Sequence, residues 1–218
     1  VFREVDEEVR RDQLANIWSK HNGLIIAAAV LLVMGIGGWR FYEHQTLKSA
    51  EAAGATLDAA TRDLRDPDKA ADGEKALAEL AKGDAAGYRA IARFRLTAEQ
   101  ARSDPAAAII AYDVMAKDAA LDANFQSLAL IRAAMLRLDV HPYAEFRKTV
   151  EPLATATGIW RHTARELLGV SALKAGEMDE AGRWFDQLVT DPAAPAVLKQ
   201  RGDLYLGLVR SGPVVPAT

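Results

Sequence analysis

The chain has 218 residues, of which 50% are hydrophobic and 26% are charged, and it contains no cysteine. The hydrophobic fraction excludes a fully disordered chain, and the absence of cysteine excludes disulfides, thiolate metal sites and cysteine nucleophiles. Lysine and arginine are scattered through a chain of net charge −3, which argues against a nucleic-acid partner.

The first 21 residues mix charged and apolar side chains. Phe2, Val5 and Val9 recur at helical spacing, and Ile17 and Trp18 lie just before the most apolar segment. This pattern favours a short amphipathic helix on a membrane or a partner, with a solvated lead-in as the alternative. We assign residues 1–21 to a cytoplasmic amphipathic segment.

Residues 22–39 carry no charge and are flanked by His21 and Arg40. Eighteen residues of helix span ~27 Å, close to the thickness of the hydrocarbon core of a bilayer. A buried helix of a soluble protein would need polar residues on one face, and a signal peptide would need a short basic start. The segment is therefore predicted to be an uncleaved transmembrane helix over residues 22–42.

The orientation follows from the basic residues near this segment. Arg10, Arg11 and Lys20 precede it, and Arg40 and Lys48 follow it. Because basic residues concentrate on the cytoplasmic side, the N-terminus is predicted to be cytoplasmic. The rest of the chain would then lie in the periplasm of a bacterium, anchored in the inner membrane.

Small residues lie near the end of the predicted transmembrane helix. Gly35, Gly37 and Gly38 would let another helix approach closely, because packing drives helix association in lipid. Ordinary use of glycine in a transmembrane helix is the alternative interpretation.

Beyond residue 42 the sequence predicts one helix after another, so the fold class is all-α. Helix-breaking signals separate segments whose apolar residues recur every three or four positions. We assign residues 43–210 to helical hairpins and residues 211–218 to a disordered tail. The breaks fall at residues 66–68, 82–84, 103–105, 141–142, 157–158, 175–176 and 191–195.

Four alanines recur early in the second helix of successive hairpins, at separations of 32, 36 and 37 residues. These separations bracket the 34-residue period of tetratricopeptide repeats. The alanines are Ala76, Ala108, Ala144 and Ala181. Large side chains follow four residues after three of them: Leu80, Tyr112 and Phe185. In the third unit Lys148 occupies that place, and Phe146 and Val150 are expected in the core instead.

The last unit matches the spacing of a tetratricopeptide repeat best. A small residue lets the paired helices touch while a large one fills the groove beside it. The sequence therefore predicts a tetratricopeptide-like right-handed stack of hairpins, with a generic helical bundle as the alternative. The signature residues of this unit are Leu168, Gly169, Gly176, Ala181 and Phe185.

Several segments together resemble a family of alphaproteobacterial single-pass membrane proteins with a tetratricopeptide-like domain. More distantly, the chain is similar to the YfgM-type ancillary subunits of the SecYEG translocon. That resemblance implies a cytoplasmic N-terminus and a periplasmic chaperone-like or scaffolding role. A second resemblance, to protein W of purple-bacterial photosynthetic core complexes, implies an accessory subunit instead. The segments are residues 2–14, 38–40, 87–89, 111–113, 161–168 and 175–176.

No catalytic motif is present in the sequence. His21 and His44 flank the apolar segment, while His141 and His162 lie at a turn and a helix start without a second ligand at metal-binding spacing. Nucleophile and phosphate-binding motifs are missing as well. We expect no enzyme, no metal and no cofactor.

The remaining candidate functional feature is the surface of the stacked hairpins. Stacked hairpins present a continuous face made by their first helices, which suits peptide or protein binding. Solvated arginines and a core tyrosine are the alternative interpretation of the residues on that face. The candidates are Tyr88, Arg89, Arg93, Arg95 and Arg132.

Two functions remain open. The first is a periplasmic helper of the translocon or of envelope assembly, whose partners are exported polypeptides or a membrane protein complex. The second is a single-pass accessory subunit of an integral-membrane complex such as a photosynthetic reaction-centre light-harvesting core. Both place the chain in a lipid bilayer, and neither involves nucleic acid.

The predicted orientation has a direct test. In spheroplasts, added protease should degrade residues 46–218, whereas a tag placed ahead of Val1 should be protected because it lies in the cytoplasm. Immunoblotting of both parts measures this. Cleavage of the tag with the C-terminal region intact would reverse the orientation.

Overall fold

A computed structural model of the chain describes residues 2–155 and 157–212. Within these ranges, side chains are described from Ile26 onward. The two ranges contain nine α-helices, one 3-10 helix and no strand, which confirms the all-α class. The helices are α1 (Phe2–Asp63), α2 (Ala70–Leu80), α3 (Ala86–Ser103), α4 (Pro105–Ala116), α5 (Ala123–Arg137), α6 (Tyr143–Val150), the 3-10 turn (Glu151–Ala154), α7 (Arg161–Lys174), α8 (Met178–Thr190) and α9 (Ala196–Ser211).

The first helix is long and apolar enough to cross a membrane. Its part Ile26–Asp63 contains an 18-residue stretch of mean hydropathy 1.3 in which no residue is buried. It is a candidate single-pass membrane anchor. The Phe2, Val5, Val9 stripe and the tail beyond residue 212 lie outside the described side chains.

The chain divides into two compact units, residues 1–55 and 56–218. The helix α1 continues past residue 42, so no break marks the predicted end of the transmembrane segment. The boundaries expected at residues 21, 42 and 210 stay predictions.

All seven predicted breaks separate helices. Local chemistry explains them: Asp104 caps α4 by accepting a hydrogen bond from the Ala107 amide, with Pro105 at the first helical position. Gly176, with φ +78°, supplies the left-handed turn between α7 and α8. An eighth break, at residues 117–122, escaped prediction because it contains neither glycine nor proline.

Four small cores follow one another along the second unit. Each lies between a first helix, a second helix and the next first helix. The cores contain Ala60, Leu77 and Ala92 (α1–α3); Ala90, Tyr112, Met115, Leu121, Ala129 and Ala133 (α3–α5); Ile131, Ala134, Phe146, Val150, Ala154, Ala164, Leu167, Leu168 and Trp184 (α5–α8); and Ala172, Ala181, Phe185 and Leu206 (α7–α9). Because α3, α5 and α7 each contribute to two cores, neighbouring hairpins stabilise one another.

The last hairpin closes through its signature residues. Leu168, Ala181 and Phe185 are fully buried. A Cβ atom at Gly169 would lie 2.6 Å from the ring of Phe185, so only glycine leaves room for this ring against α7. Gly169, Ala181 and Phe185 therefore lie together between α7 and α8, whereas Leu168 packs in the preceding core and Gly176 forms the turn.

The first and third units differ from the predicted register. In α2 the buried pair is Gly73 and Leu77, three residues before the predicted Ala76 and Leu80, because Gly73 faces the backbone of α1. In α6 Ala144 is exposed. Phe146 and Val150 occupy the core there, as expected from the sequence.

The contact at Gly73 can be tested by adding one methyl group. In Gly73→Ala the new Cβ would lie 2.8 Å from the carbonyl oxygen of Ala60, which belongs to the backbone and cannot rotate away. We expect the free energy of unfolding to fall by about 1–3 kcal/mol. Thermal melting of the full chain in detergent, followed by circular dichroism, measures the change.

A matched control is Gly207→Ala, also inside a helix, where a Cβ meets nothing within 4 Å. Helix propensity alone should stabilise this variant by up to about 1 kcal/mol. Equal melting temperatures for the two variants would contradict the close approach at Gly73.

Candidate interaction surface

Two of the five predicted surface residues are held by the protein itself. Arg93 Nη1 lies 2.5 Å from Asp118 Oδ2 in the turn between α4 and α5. Arg89 Nη1 donates a hydrogen bond to the carbonyl oxygen of Gly83, at 2.8 Å. Tyr88 is half-buried at the start of α3. These arginines stabilise turns and are not free to meet a ligand.

Arg95 and Arg132, in contrast, come together across α3 and α5 and line one depression of about 160 Å³. Neither forms an ion pair within the part of the chain that the structure describes. The rest of the lining is mostly apolar: Ile91, Phe94, Ala98, Tyr112 and Leu128.

An aromatic cluster forms the floor of this depression. The ring of Phe94 lies 5.8 Å from that of Tyr112 and 5.9 Å from that of Phe125, both tilted. Aromatic pairs at this distance stabilise one another beyond the area that they bury. Burial raises the pKa of Tyr112, although the nearby Arg132 guanidinium opposes this effect. The cluster fixes α3, α4 and α5 in place beneath the depression.

A second, polar depression of about 550 Å³ adjoins the same helix. Its lining consists of Leu64, Arg65, Pro67, Arg95, Glu99 and Arg102. Glu99 is paired with Arg102 at 3.2 Å, so the lining keeps an excess of positive charge. No periodic pattern in the sequence points to Arg65, which lies in the turn after α1.

Arg95 is the residue shared by the two depressions. Its Nε atom is buried and has no hydrogen-bond partner among the described residues. A buried donor without an acceptor costs free energy unless a ligand or water satisfies it. This makes Arg95 the most informative of the predicted surface residues.

A repeated ion pair links the turns to the first helices. Asp118 accepts hydrogen bonds from Arg93 and from the Ala120 amide, and Asp191 accepts hydrogen bonds from Arg165 and from the Ala193 amide. In both turns the carboxylate follows the second helix of a hairpin and binds an arginine on the first. The signal in the sequence is an aspartate just after a helix, about 25 residues beyond an arginine.

Asp191 has the most extensive set of partners. Its Oδ2 atom lies 3.1 Å from Arg161 Nε, 3.0 Å from His162 Nε2 and 2.9 Å from Arg165 Nη1. The hydrogen bond from the Ala193 amide, together with those from Arg161, His162 and Arg165, holds the pKa of Asp191 far below its usual range. For Asp118, the hydrogen bond from Arg93 lowers the pKa in the same way.

Glu166 on α7 is a buried carboxylate that pairs with the half-exposed Arg201 on α9. Two atoms of the guanidinium group meet the two carboxylate oxygens, at 2.7 and 2.8 Å. Burial nevertheless raises the pKa of Glu166, and Arg201 only partly offsets the effect. The buried carboxylate of Glu166 is therefore part of the contact between α7 and α9.

The predicted helix-packing glycines lie on α1. At Gly35, Gly37 and Gly38 an added Cβ would meet nothing within 4 Å. Among the described residues no group of three acidic, histidine or cysteine side chains could hold a metal ion. The perturbed carboxyl groups are all explained by ion pairs or burial.

Comparisons with known proteins add one finding about the family. Residues 16–202 match the profile of a family described as tetratricopeptide repeat-like domain. Comparison with curated proteins and with solved structures returned no match. Domains of this kind mediate protein–protein interactions, which agrees with a surface that combines apolar groups with arginines that form no ion pair among the described residues.

The low pKa of Asp191 predicts a pH-dependent contribution to stability. The folded chain favours the ionised carboxylate, so this contribution is complete above the pKa of an unfolded aspartate, about 4, and decreases as the pH falls below it. Asp191→Asn should therefore melt at a lower temperature than the unmodified chain at neutral pH. The difference should shrink as the pH falls from about 4 toward about 2.

Asp203→Asn on α9 is the control, since it removes an exposed carboxylate of the same type. Its melting temperature should stay close to that of the unmodified chain at every pH. A difference for Asp191→Asn that is the same at all pH values would mean that the carboxylate charge is unimportant.

Proposed function

Because the chain belongs to the tetratricopeptide repeat-like domain family, we propose that it is a non-enzymatic, membrane-anchored protein-interaction module. In this proposal it acts as a periplasmic chaperone-like or scaffolding helper associated with the protein translocon or envelope assembly. The observation that carries the proposal is the depression on α3 and α5, where exposed apolar groups adjoin two arginines without an ion-pair partner among the described residues.

The surface is suited to binding rather than to catalysis. Ile91 is 41% exposed beside the half-buried Phe94 and Leu128, so an incoming apolar side chain would bury surface from water. Arginine forks bind carboxylates and backbone carbonyl oxygens of a polypeptide. The repeat-like fold is typically non-catalytic, which supports a function in binding.

The proposed location rests on α1. The apolar stretch within this helix supports a single-pass anchor in the bacterial inner membrane. The excess of basic residues before it supports a cytoplasmic N-terminus and a periplasmic repeat domain. The resemblance to YfgM-type subunits supports partners among exported polypeptides or membrane protein complexes.

One observation favours the alternative function, an accessory subunit of an integral-membrane complex of the protein W type. Gly35, Gly37 and Gly38 leave open space on α1 that another transmembrane helix could fill. In that case the binding energy would lie in the anchor and not on α3 and α5.

Affinity purification from native membranes separates the two functions. In Ile91→Asp a charge replaces an apolar group of the depression, and we expect the copurifying partners to fall by about tenfold. The anchor variant Gly35→Leu with Gly37→Leu and Gly38→Leu should keep them. Quantitative mass spectrometry of the purified complexes measures both effects.

The matched control is Ile110→Asp, which makes the same change at an exposed position of α4. It should leave partner capture unchanged. Loss of partners from the anchor variant alone, with full capture by Ile91→Asp, would favour the accessory subunit and contradict the helper.

A further inference from the structure

We propose that the two depressions joined at Arg95 form one site for a polypeptide segment that carries both carboxylate and aliphatic side chains. This inference rests on the proposed function as a protein-binding module and names the chemistry of its partner. The site consists of α3, the turn after α1 and the facing part of α5.

The charge of the site is opposite to that of the chain. The combined lining contains four arginines and one carboxylate, Glu99, in a protein of net charge −3. Glu99 is already paired with Arg102. A segment with carboxylates would therefore bring the counter-charges that this surface lacks. The arginines are Arg65, Arg95, Arg102 and Arg132.

Neighbouring arginines on the same helix make the contrast clear. The chain supplies Asp118 to Arg93 and the Gly83 carbonyl to Arg89. Within the described residues it supplies no hydrogen-bond acceptor to the buried Nε of Arg95. We infer that a ligand carboxylate pairs with the Arg95 guanidinium where it lines the two depressions, because a charged acceptor binds a guanidinium more strongly than a neutral acceptor does.

The apolar part of the site selects for aliphatic or small aromatic groups. A depression of about 160 Å³ over Phe94 and Tyr112 is comparable to a cavity that holds one benzene-sized group. It is too small for the chain of a lipid. A polypeptide segment can place a carboxylate beside the arginines and an apolar side chain over Phe94 and Tyr112, which favours a polypeptide over an anionic membrane surface.

The test uses the full chain in phosphatidylcholine nanodiscs and three labelled peptides, with binding followed by fluorescence anisotropy. The first peptide is acetyl-LDLELDLE-amide, and the second, acetyl-LNLQLNLQ-amide, replaces each carboxylate by the isosteric amide. The third, acetyl-SDSESDSE-amide, keeps the charge and removes the aliphatic groups. We expect the second and third to bind at least about tenfold more weakly than the first.

The variant Arg95→Gln with Arg132→Gln should weaken binding of the first peptide by at least about tenfold. Arg183→Gln with Arg210→Gln removes the same charge from α8 and α9 and should change it by less than about twofold. Equal effects of the two double variants would overturn the proposal, because attraction by net charge would then suffice. If Arg95→Gln with Arg132→Gln does not fold, the three peptides on the unmodified chain still decide.

Two further results would overturn the proposal. The amide peptide could bind as tightly as the acidic one. Alternatively, phosphatidylglycerol vesicles could bind the chain in a way that depends on Arg95 and Arg132 while the acidic peptide does not, which would make the ligand a lipid headgroup.

If no peptide binds but Ile91→Asp still loses its native partners, this inference fails and the proposed function stands. If no peptide binds and Ile91→Asp also keeps its native partners, the proposed function fails as well.

Discussion

The repeat domain depends on the close approach of paired helices at positions without a bulky side chain. A Cβ at Gly73 would lie 2.8 Å from a carbonyl oxygen of α1, and one at Gly169 would lie 2.6 Å from the ring of Phe185. Because paired helices approach closely at these positions, the four small cores follow one another and share α3, α5 and α7. Ile91 and Leu128 lie on two of these shared helices, α3 and α5.

Ion pairs then divide the arginines of the stack into two groups. Arg93 and Arg165 bind the aspartates of the turns, where a carboxylate also accepts a backbone hydrogen bond and thereby fixes the next helix. Arg95 and Arg132 lie beside apolar groups and form no ion pair among the described residues. The first group of arginines stabilises the fold, and the second is available for binding.

Sequence patterns predict where the helices begin and end better than they predict the contacts between helices. Proline and glycine act on the local backbone and mark all seven predicted breaks. The break at residues 117–122 contains neither and depends on the Asp122 side chain, which caps α5 by accepting hydrogen bonds from two amides. Spacing identified Arg95 and Arg132, but it could not reveal that Asp118 binds Arg93 from 25 residues away. The register of α2 was wrong by three residues, since only the contact with α1 selects Gly73 over Ala76.

The central claim is that the chain binds its partners on α3 and α5. A photoreactive amino acid at Ile91 or at Ile110, introduced into the full chain in native membranes, tests it most directly. Ile110 is 65% exposed and Ile91 only 41%, so random collisions would label more protein from Ile110. The account predicts the reverse, with discrete adducts from Ile91 that disappear in Arg95→Gln with Arg132→Gln. Stronger labelling from Ile110, or adducts from Ile91 that persist in that variant, would contradict it.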